Sequence, residues 1–192
     1  MPDFIQYIDE YLIQILNVAV ANSLFDSVMP FVTDMRNWIL VYVCYLGFLL
    51  WKGGANGRLC VAVLVVTLLA SDPISSQLIK GAVGRLRPCH ALDWIRVLVD
   101  CGPGKSFPSS HAVNNFAAAF VLSYFFRQYK YVFYSIATII AYSRVYVGVH
   151  YPIDVASGAI IGVIISFIII KLYTLLEIKY FPDLSRNRSM NK

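Results

Sequence analysis

Long apolar runs with few charged residues limit how this chain can fold more than any other feature of its sequence. Residues 59–79 and 152–176 contain the most continuous apolar sequence, and each run is long enough to cross a hydrocarbon layer of about 30 Å as a helix. The whole chain is 58% hydrophobic and 14% charged, whereas an ordinary soluble domain is about 25% charged. These runs therefore predict an integral membrane protein.

Further apolar segments predict additional helices of the same kind. Residues 111–126 and 131–149 are long enough, or nearly so, to span a membrane. Residues 38–51 are shorter, carry a tryptophan at each end, and cross only if the helix extends back toward Met35. We predict an all-α fold, a polytopic transmembrane bundle of five or six helices.

The two ends of the chain differ from this apolar pattern. Near the N-terminus, apolar residues such as Phe4, Ile8 and Leu12 recur at helical spacing, while polar residues occupy the other face. This amphipathic helix either lies in the membrane interface, which we favour, or spans the membrane with its polar face turned into the bundle. The domain organisation is one membrane-embedded domain at 1–176 and a basic cytoplasmic tail at 177–192.

The formal net charge of +5 comes from cations near the ends of apolar runs. Because they form no basic stripe, we expect no nucleic-acid partner. One side of the alternating spans is predicted to be cytoplasmic because of its cations: Lys52, Arg58, Arg127, Lys130, Lys179, Arg186, Arg188 and Lys192. The opposite side is also rich in cations: Lys80, Arg85, Arg87, Arg96, Lys105 and Arg144. That second group needs an explanation other than topology.

One motif on that second side, "SRVYVGVHYPID" at residues 143–154, combines charged residues with apolar ones. Arg144 and His150 lie near the outer end of one predicted span, and Pro152 suits the first position of the next helix. Asp154, four residues after His150, shares a helical face with it if helical geometry extends that far back. The carboxylate then accepts a hydrogen bond from the N–H of one imidazole nitrogen and leaves the other nitrogen free as a nucleophile or base.

Two other motifs lie on the same side. In "PSSH", residues 108–111, Ser109 or Ser110 can cap a helix that begins near His111, and the N-terminus of that helix attracts anions. His111 stands where it can give or take a proton. The motif "KGAVGRLRP" at residues 80–88 adds cations. Three side chains can therefore converge on one anion: Lys80, Arg87 and Arg144.

Together these motifs resemble the tripartite signature of the type 2 phosphatidic acid phosphatase superfamily, which comprises membrane lipid phosphatases and soluble vanadium haloperoxidases. The matching residues occur in order: Lys80-x6-Arg87-Pro88, Pro108-Ser109-x-His111 and Ser143-Arg144-x5-His150-x3-Asp154. Ser110 stands where the second motif of the family usually has glycine, and a serine still supplies the backbone N–H. The predicted spans exclude a soluble haloperoxidase.

The resemblance implies a role for each matching residue. His150 would attack phosphorus and form a phosphohistidine, with Asp154 orienting it, and His111 would protonate the leaving alcohol and later activate water. The phosphoryl oxygens would be held by five residues: Lys80, Arg87, Ser109, Ser110 and Arg144. The family requires no metal and no other cofactor, and the sequence suggests no cluster of metal ligands.

Several other residues have more than one interpretation. Cys89 and Cys101 bracket the loop between the first two motifs, and a disulfide between them is permitted if that side is periplasmic; otherwise both are free thiols. Asp72 either marks a functional site within a span or packs on the inward polar face of a kinked helix, which we favour. Arg85 and Lys105 either bind an anionic headgroup or solvate the loop.

We expect a metal-independent lipid phosphatase of the bacterial inner membrane, with its site facing the periplasm. The candidate substrates are lipid A 1-phosphate, phosphatidylglycerol phosphate and undecaprenyl diphosphate. One alternative is a phosphotransferase that uses the same phosphohistidine. Another is a non-catalytic protein that binds or transports anions. The presence of His111, His150 and Asp154 argues against that alternative, because holding an anion needs cations and no nucleophile.

Overall fold

The computed structural model describes residues 3–180, which are mostly helical and contain no β-strand. The prediction of an all-α fold is therefore confirmed. The α-helices of this part of the chain are, in order, α1 (Asp3–Ile13), α2 (Ser23–Thr33), α3 (Ile39–Lys52), α4 (Gly54–Pro73), α5 (Lys80–Val83), α6 (Pro88–Ala91), α7 (Ser110–Phe125), α8 (Lys130–Tyr146) and α9 (Pro152–Tyr180).

Helix α7 is the central helix of the bundle, because it packs against α4, α8 and α9. Two glycines of α9 permit a close approach to α7. A Cβ atom on Gly158 would lie 2.7 Å from the carbonyl oxygen of Ser109, and one on Gly162 would overlap that of Val113. Small residues four positions apart let two helix backbones approach closely in membrane proteins. The two glycines therefore determine where the N-terminus of α7 lies relative to that of α9.

Two segments of the described chain are long and apolar enough to cross a membrane: Gly54–Ala91 and Pro152–Tyr180. A third crossing results if Asp3–Ala19 and Ser23–Thr33 count as one broken span, although the two parts meet at 115°. Helices α7 and α8 have 16 and 17 residues, fewer than the roughly 20 residues of a straight crossing. Both helices nevertheless pack within the bundle, and a turn or loop adjoins each of their ends.

Helix α8 ends before the predicted span at 131–149 does. Its last residue is Tyr146, and the chain then turns at Gly148, whose φ of 82° lies in the left-handed region that favours glycine. A Cβ atom at this position would also overlap the carbonyl oxygen of Arg96. Residues 147–151 therefore form a tight turn between α8 and α9 instead of the last turn of a helix.

Helix α4 continues beyond Pro73 through a π-helical turn, Ile74–Ile79, into α5. Proline removes one backbone donor inside a helix, and an irregular turn of this kind accommodates the loss. Ser71 and Ser75 of this segment are buried, whereas Asp72 is exposed. The inward position predicted for Asp72 is therefore wrong, because the polar face of this helix is narrower than the sequence pattern indicates.

Helix α1 turns its polar face toward the rest of the protein. Asp9 is fully buried there, as is Asn17 in the π-helical turn that follows α1, whereas Phe4 on the opposite face is 73% exposed. The inward polar face matches the second of the two predicted placements. Its partners, however, lie at one end of the bundle, where the segment 84–109, which contains α6, meets the turn 147–151. We call this end the site end.

Helix α9 extends to Tyr180 and therefore includes the first residues of the segment predicted as a tail from 177. Lys179 lies in its last turn, where a cation interacts favourably with the negative end of the helix dipole. The rest of the predicted tail, residues 181–192 with Arg186, Arg188 and Lys192, lies outside the described residues.

Candidate active site

The predicted site residues meet at the site end, and helix ends position nearly all of them. Lys80 opens α5, Arg87 precedes α6, and His111 lies in the first turn of α7. Arg144 lies in the last turn of α8, and Asp154 lies in the first turn of α9. One more, His150, lies in the turn 147–151. Because several helices place an end here, residues that are distant in sequence become neighbours.

His150 is connected to Asp154 through a serine outside the three motifs. The Nδ1 atom of His150 lies 3.7 Å from Oδ2 of Asp154, which is beyond hydrogen-bonding distance. Ser106 Oγ donates a short hydrogen bond to that carboxylate oxygen and lies 3.4 Å from Nδ1. The condition for the predicted shared helical face is not met, because α9 begins at Pro152 and His150 precedes it. The serine supplies the connection instead.

Burial keeps the ring of His150 neutral. The side chain is 2% exposed, and its burial lowers the pKa of His150 to about 4, against the opposing effect of the Asp154 carboxylate. A neutral imidazole carries one proton on one of its two nitrogens. A proton on Nδ1 faces Ser106 and the carboxylate, which leaves the lone pair of Nε2 free for chemistry.

Arg85 lies inside the protein. Its Nη1 atom is 2.7 Å from Oδ2 of Asp9 and 2.8 Å from Oδ1 of Asp154, and its Nη2 donates to the side-chain oxygen of Gln6 at 2.8 Å. The residue is 8% exposed. Both roles predicted for Arg85, headgroup binding and loop solvation, are therefore wrong, because two carboxylates hold it in the interior. Lys105 is exposed, as loop solvation requires.

Three cations lie close enough together for their charges to repel: Lys80, Arg87 and Arg144. Neighbouring groups hold the two guanidinium groups in place. Arg144 Nη1 donates to Thr33 Oγ1 at 2.6 Å, and Arg87 Nη1 donates to the carbonyl oxygen of Cys101 at 2.7 Å. His111 is half-buried and lies within reach of the same charges. Such a concentration of positive charge favours the binding of an anion.

Unpaired donors at the same place also suit an anion. Some buried side-chain atoms have no hydrogen-bond partner within residues 3–180, and three of them belong to the predicted phosphate ligands: Ser109 Oγ, Arg87 Nε and Arg144 Nε. A buried polar group without a partner is costly. The oxygens of a phosphoryl group can accept hydrogen bonds from all three donors, so this arrangement suits a tetrahedral oxyanion.

The two serines of "PSSH" do not cap α7 with their side chains. Ser109 occupies the capping position, but its side chain makes no capping hydrogen bond, and its backbone N–H donates to the carbonyl oxygen of Asp154 at 3.0 Å. Ser110 Oγ lies 3.0 Å from Ser76 Oγ. The predicted capping role is therefore wrong for both serines, and the hydroxyl of Ser109 remains available to a ligand.

A disulfide bond joins Cys89 to Cys101 in the loop between the first two motifs, with their Cα atoms 6.3 Å apart. These two residues and the exposed His90 form the one group of potential metal ligands within residues 3–180. Cysteine binds metals as a thiolate, so sulfurs that are bonded to each other do not suit a metal ion. The bonded Cys101 instead presents its carbonyl oxygen to Arg87.

The sequence motifs do not include four residues that contact the site: Gln6, Asp9, Thr33 and Ser106. For Gln6 and Asp9, the polar face of the N-terminal helix is the one sequence pattern that could have predicted these contacts. Polar residues on a buried face need hydrogen-bond partners. Thr33 and Ser106 have no local signal. Their partners lie 111 and 48 positions away along the chain, and only the fold brings them into contact.

A model of the PAP2 superfamily matches residues 58–177 of the chain. The matched part contains all three motifs. It excludes helices α1, α2 and α3, so Gln6, Asp9 and Thr33 reach the site from outside it.

Individual known proteins are similar over most of the chain. A lipid A 4'-phosphatase of Porphyromonas gingivalis is 28% identical over 178 residues, which cover 89% of this chain and 75% of that protein. A lipid A 4'-phosphatase of Bacteroides thetaiotaomicron is 32% identical over 170 residues, which cover 84% and 75% respectively. The crystal structure of Aquifex aeolicus LpxE has the same fold, with a TM-score of 0.72 at 23% identity, and the match covers 85% of this chain and 95% of that one.

Proposed function

The chain belongs to the PAP2 superfamily, and on this basis we propose that it is a lipid phosphatase that hydrolyses a phosphomonoester or diphosphate of a membrane lipid. The observation that carries the proposal is a buried, neutral His150 beside a cluster of cations. Two of these cations, Arg87 and Arg144, each have a buried Nε donor without a hydrogen-bond partner within residues 3–180. Cations alone can bind a phosphoryl group, whereas a neutral histidine beside them adds a nucleophile that can displace the leaving oxygen from phosphorus.

The reaction has two steps through a phosphohistidine. In the first, Nε2 of His150 attacks phosphorus, the bond from phosphorus to the leaving oxygen breaks, and His111 gives that oxygen a proton. In the second, His111 takes a proton from water, the water oxygen bonds to phosphorus, and the N–P bond breaks. Asp154 keeps the ring of His150 oriented throughout. Three cations offset the charge of the phosphoryl oxygens: Lys80, Arg87 and Arg144.

A phosphate group of lipid A is the first substrate to test, because two relatives are named lipid A 4'-phosphatases. The lipid A 1-phosphate is the position named among the candidates predicted from the sequence, so both positions belong in the test. Phosphatidylglycerol phosphate and undecaprenyl diphosphate are the other candidates. In each case the acyl or prenyl chains stay in the bilayer while the phosphate reaches the site end at headgroup depth.

The protein is a membrane protein of the bacterial type, and we place it in the inner membrane with the site end facing the periplasm. Two observations support this orientation. The Cys89–Cys101 disulfide lies at the site end, and disulfides persist in oxidising compartments such as the periplasm. The opposite end carries Lys52, Arg58 and Arg127, which suits the cytoplasmic side.

Phosphate release from purified protein in detergent, with a metal chelator present, tests the function. The panel contains lipid A with both phosphates, phosphatidylglycerol phosphate and undecaprenyl diphosphate. We expect the native protein to release phosphate from at least one lipid and His150→Ala to release none. His90→Ala is the matched control, because His90 is exposed and lies outside the motifs, and we expect it to retain native activity.

Other results would contradict particular parts of the proposal. No release from any lipid, or equal release by His150→Ala, would favour a non-catalytic protein that binds anions. Loss of activity on chelation would contradict the metal-independent reaction. Transfer of labelled phosphate to an acceptor lipid, in place of release into water, would identify a phosphotransferase with the same intermediate.

A further inference from the structure

Helix α1 contacts the candidate active site although it lies outside the residues that match the PAP2 superfamily, 58–177. Asp9 of this helix is fully buried. One of its oxygens, Oδ2, lies 2.7 Å from Nη1 of Arg85. The other, Oδ1, accepts a hydrogen bond from the backbone N–H of Ile153 at 2.8 Å. Asp9 therefore contacts both Arg85 and the first turn of α9, which carries Asp154.

Asp9, Arg85 and Asp154 form a buried chain in which one guanidinium nitrogen serves two carboxylates. Nη1 of Arg85 lies 2.7 Å from Asp9 and 2.8 Å from Asp154, and both acids are fully buried. The second oxygen of Asp154 accepts hydrogen bonds from Ser106 Oγ and from the backbone N–H of Tyr151. Each oxygen of Asp154 therefore has a fixed partner, and Arg85 provides one of them.

With both carboxylates ionised, sharing Arg85 between them leaves this chain with one net negative charge beside His150. In the proposed reaction, the imidazole ring gains positive charge when its nitrogen bonds to phosphorus, and a nearby negative charge stabilises that state. If Arg85 paired with Asp154 alone, the pair would be neutral and would stabilise the ring less. The partner of an orienting group therefore affects the rate even though it never touches the substrate.

We propose that Asp9 is a positioning residue for the phosphatase reaction: through Arg85 it sets the orientation and the effective charge of Asp154, and thereby of His150. This inference rests on the proposed function, since it concerns the same histidine. Gln6 supports the arrangement by accepting a hydrogen bond from the other terminal nitrogen of Arg85 at 2.8 Å. An N-terminal helix thus completes the site that the matched part of the chain contains.

Asp9→Asn tests this inference, because it keeps the shape of the side chain and removes its charge. We expect kcat for phosphate release to fall by about 10–100-fold, as for other partners of orienting groups. KM should stay within about two-fold, because Asp9 contacts none of the predicted phosphate ligands. The rate of phosphohistidine formation, measured by quenching a single turnover, should fall by the same factor as kcat.

A double-mutant cycle separates this role from simple anchoring of α1. If Asp9 acts through Arg85, then Asp9→Asn in an Arg85→Gln background should lower kcat by less than about two-fold further. Asp9→Glu restores the charge and should recover a large part of the activity lost in Asp9→Asn. Size-exclusion chromatography and the Tm of each variant in detergent identify any variant that fails to fold. If the variants with Arg85→Gln fail to fold, the comparison of Asp9→Asn with Asp9→Glu decides the question.

Asp26→Asn is the matched control. Asp26, like Asp9, is an acid of the N-terminal segment that pairs with an arginine: its Oδ2 lies 2.6 Å from Nη2 of Arg96. Unlike the arginine partner of Asp9, Arg96 does not contact Asp154. We expect this variant to keep its native kcat even if its Tm falls.

The outcomes distinguish the inference from the function on which it rests. Native kcat in Asp9→Asn, with a native protein that is active and His150→Ala inactive, would overturn the inference alone. Equal losses of kcat in Asp9→Asn and Asp26→Asn would also overturn it, because they would reflect a general loosening of the N-terminal segment. An inactive native protein would overturn the proposed function and the inference together.

Discussion

A buried histidine can act as a nucleophile only if its proton stays on the correct nitrogen, and here a serine hydroxyl lies between the ring and its carboxylate. Ser106 Oγ bonds to Asp154 and lies 3.4 Å from Nδ1 of His150. A hydroxyl donates one hydrogen bond and accepts others, so it can donate to the carboxylate while it accepts a hydrogen bond from the N–H of Nδ1. We infer that Ser106 transmits the orienting effect of Asp154.

At the residue scale, we expect Ser106→Ala to lower kcat by about 10–100-fold while KM changes by less than about two-fold. The substitution removes the connection between His150 and Asp154 but no predicted phosphate ligand. Steady-state kinetics of phosphate release measures both parameters. Ser71→Ala is the control, because Ser71 is also fully buried and bonds to the carbonyl oxygen of Thr67 in its own helix. Native kcat in Ser106→Ala would show that His150 is oriented without the serine.

At the scale of single elements, the loop between α6 and α7 connects the Cys89–Cys101 disulfide to Arg87, a predicted phosphate ligand. Cys101 is bonded to Cys89, and its carbonyl oxygen accepts a hydrogen bond from Arg87 at 2.7 Å. The cysteines are separated by 12 positions, and closing a loop of about this length stabilises a protein by about 3 kcal/mol. The disulfide therefore affects both the stability of the loop and the position of one guanidinium group.

Replacing both cysteines, as Cys89→Ser with Cys101→Ser, should raise KM by about 3–10-fold, because the disulfide no longer holds the carbonyl oxygen that Arg87 contacts. The double substitution should also lower Tm, because the loop is no longer closed by a covalent bond. Cys44→Ser is the control, since Cys44 is free and exposed. Mass spectrometry of the denatured native protein should find two alkylated cysteines before reduction and four after it. Four alkylated cysteines without reduction would contradict the disulfide.

The contact between α7 and α9 determines how His111 and Asp154 lie relative to each other. We expect Gly162→Ala to lower the stability by about 1–3 kcal/mol, because its Cβ atom would overlap the carbonyl oxygen of Val113. Thermal unfolding in detergent measures the change. Gly47→Ala is the control, because a Cβ atom on Gly47 meets no atom within 4 Å. Equal Tm values for the two variants would show that α7 and α9 have room to separate.

At the scale of the whole molecule, the charge distribution and the disulfide predict one orientation in the membrane. In spheroplasts of a Cys44→Ser background, a membrane-impermeant maleimide should label Ser23→Cys, which lies at the site end. Gln128→Cys lies in the turn between α7 and α8 at the opposite end and should be labelled only after the membrane is permeabilised. The reverse labelling pattern would place the site on the cytoplasmic side.

Patterns along the sequence were sufficient to predict the class of the protein and the candidate residues of its site. Long apolar runs leave few folds other than a helical membrane bundle, because a backbone in lipid must satisfy its own hydrogen bonds. The cations of the three motifs indicate an anion site, and the order and spacing of the motifs, which resemble the signature of a phosphatase superfamily, indicate phosphate chemistry. These properties are local in sequence, and a pattern of residues is sufficient to detect them.

The groups that hold those residues in place become visible only once the chain is folded. The contacts of Asp9 with Arg85, of Thr33 with Arg144 and of Ser106 with Asp154 join positions that are 76, 111 and 48 residues apart. A single acid, threonine or serine has no distinctive pattern around it, and its partner depends on where separate helices end in space. The same holds for Arg85, which resembles a loop cation in sequence and becomes a buried partner of two carboxylates when α1 folds across the site end.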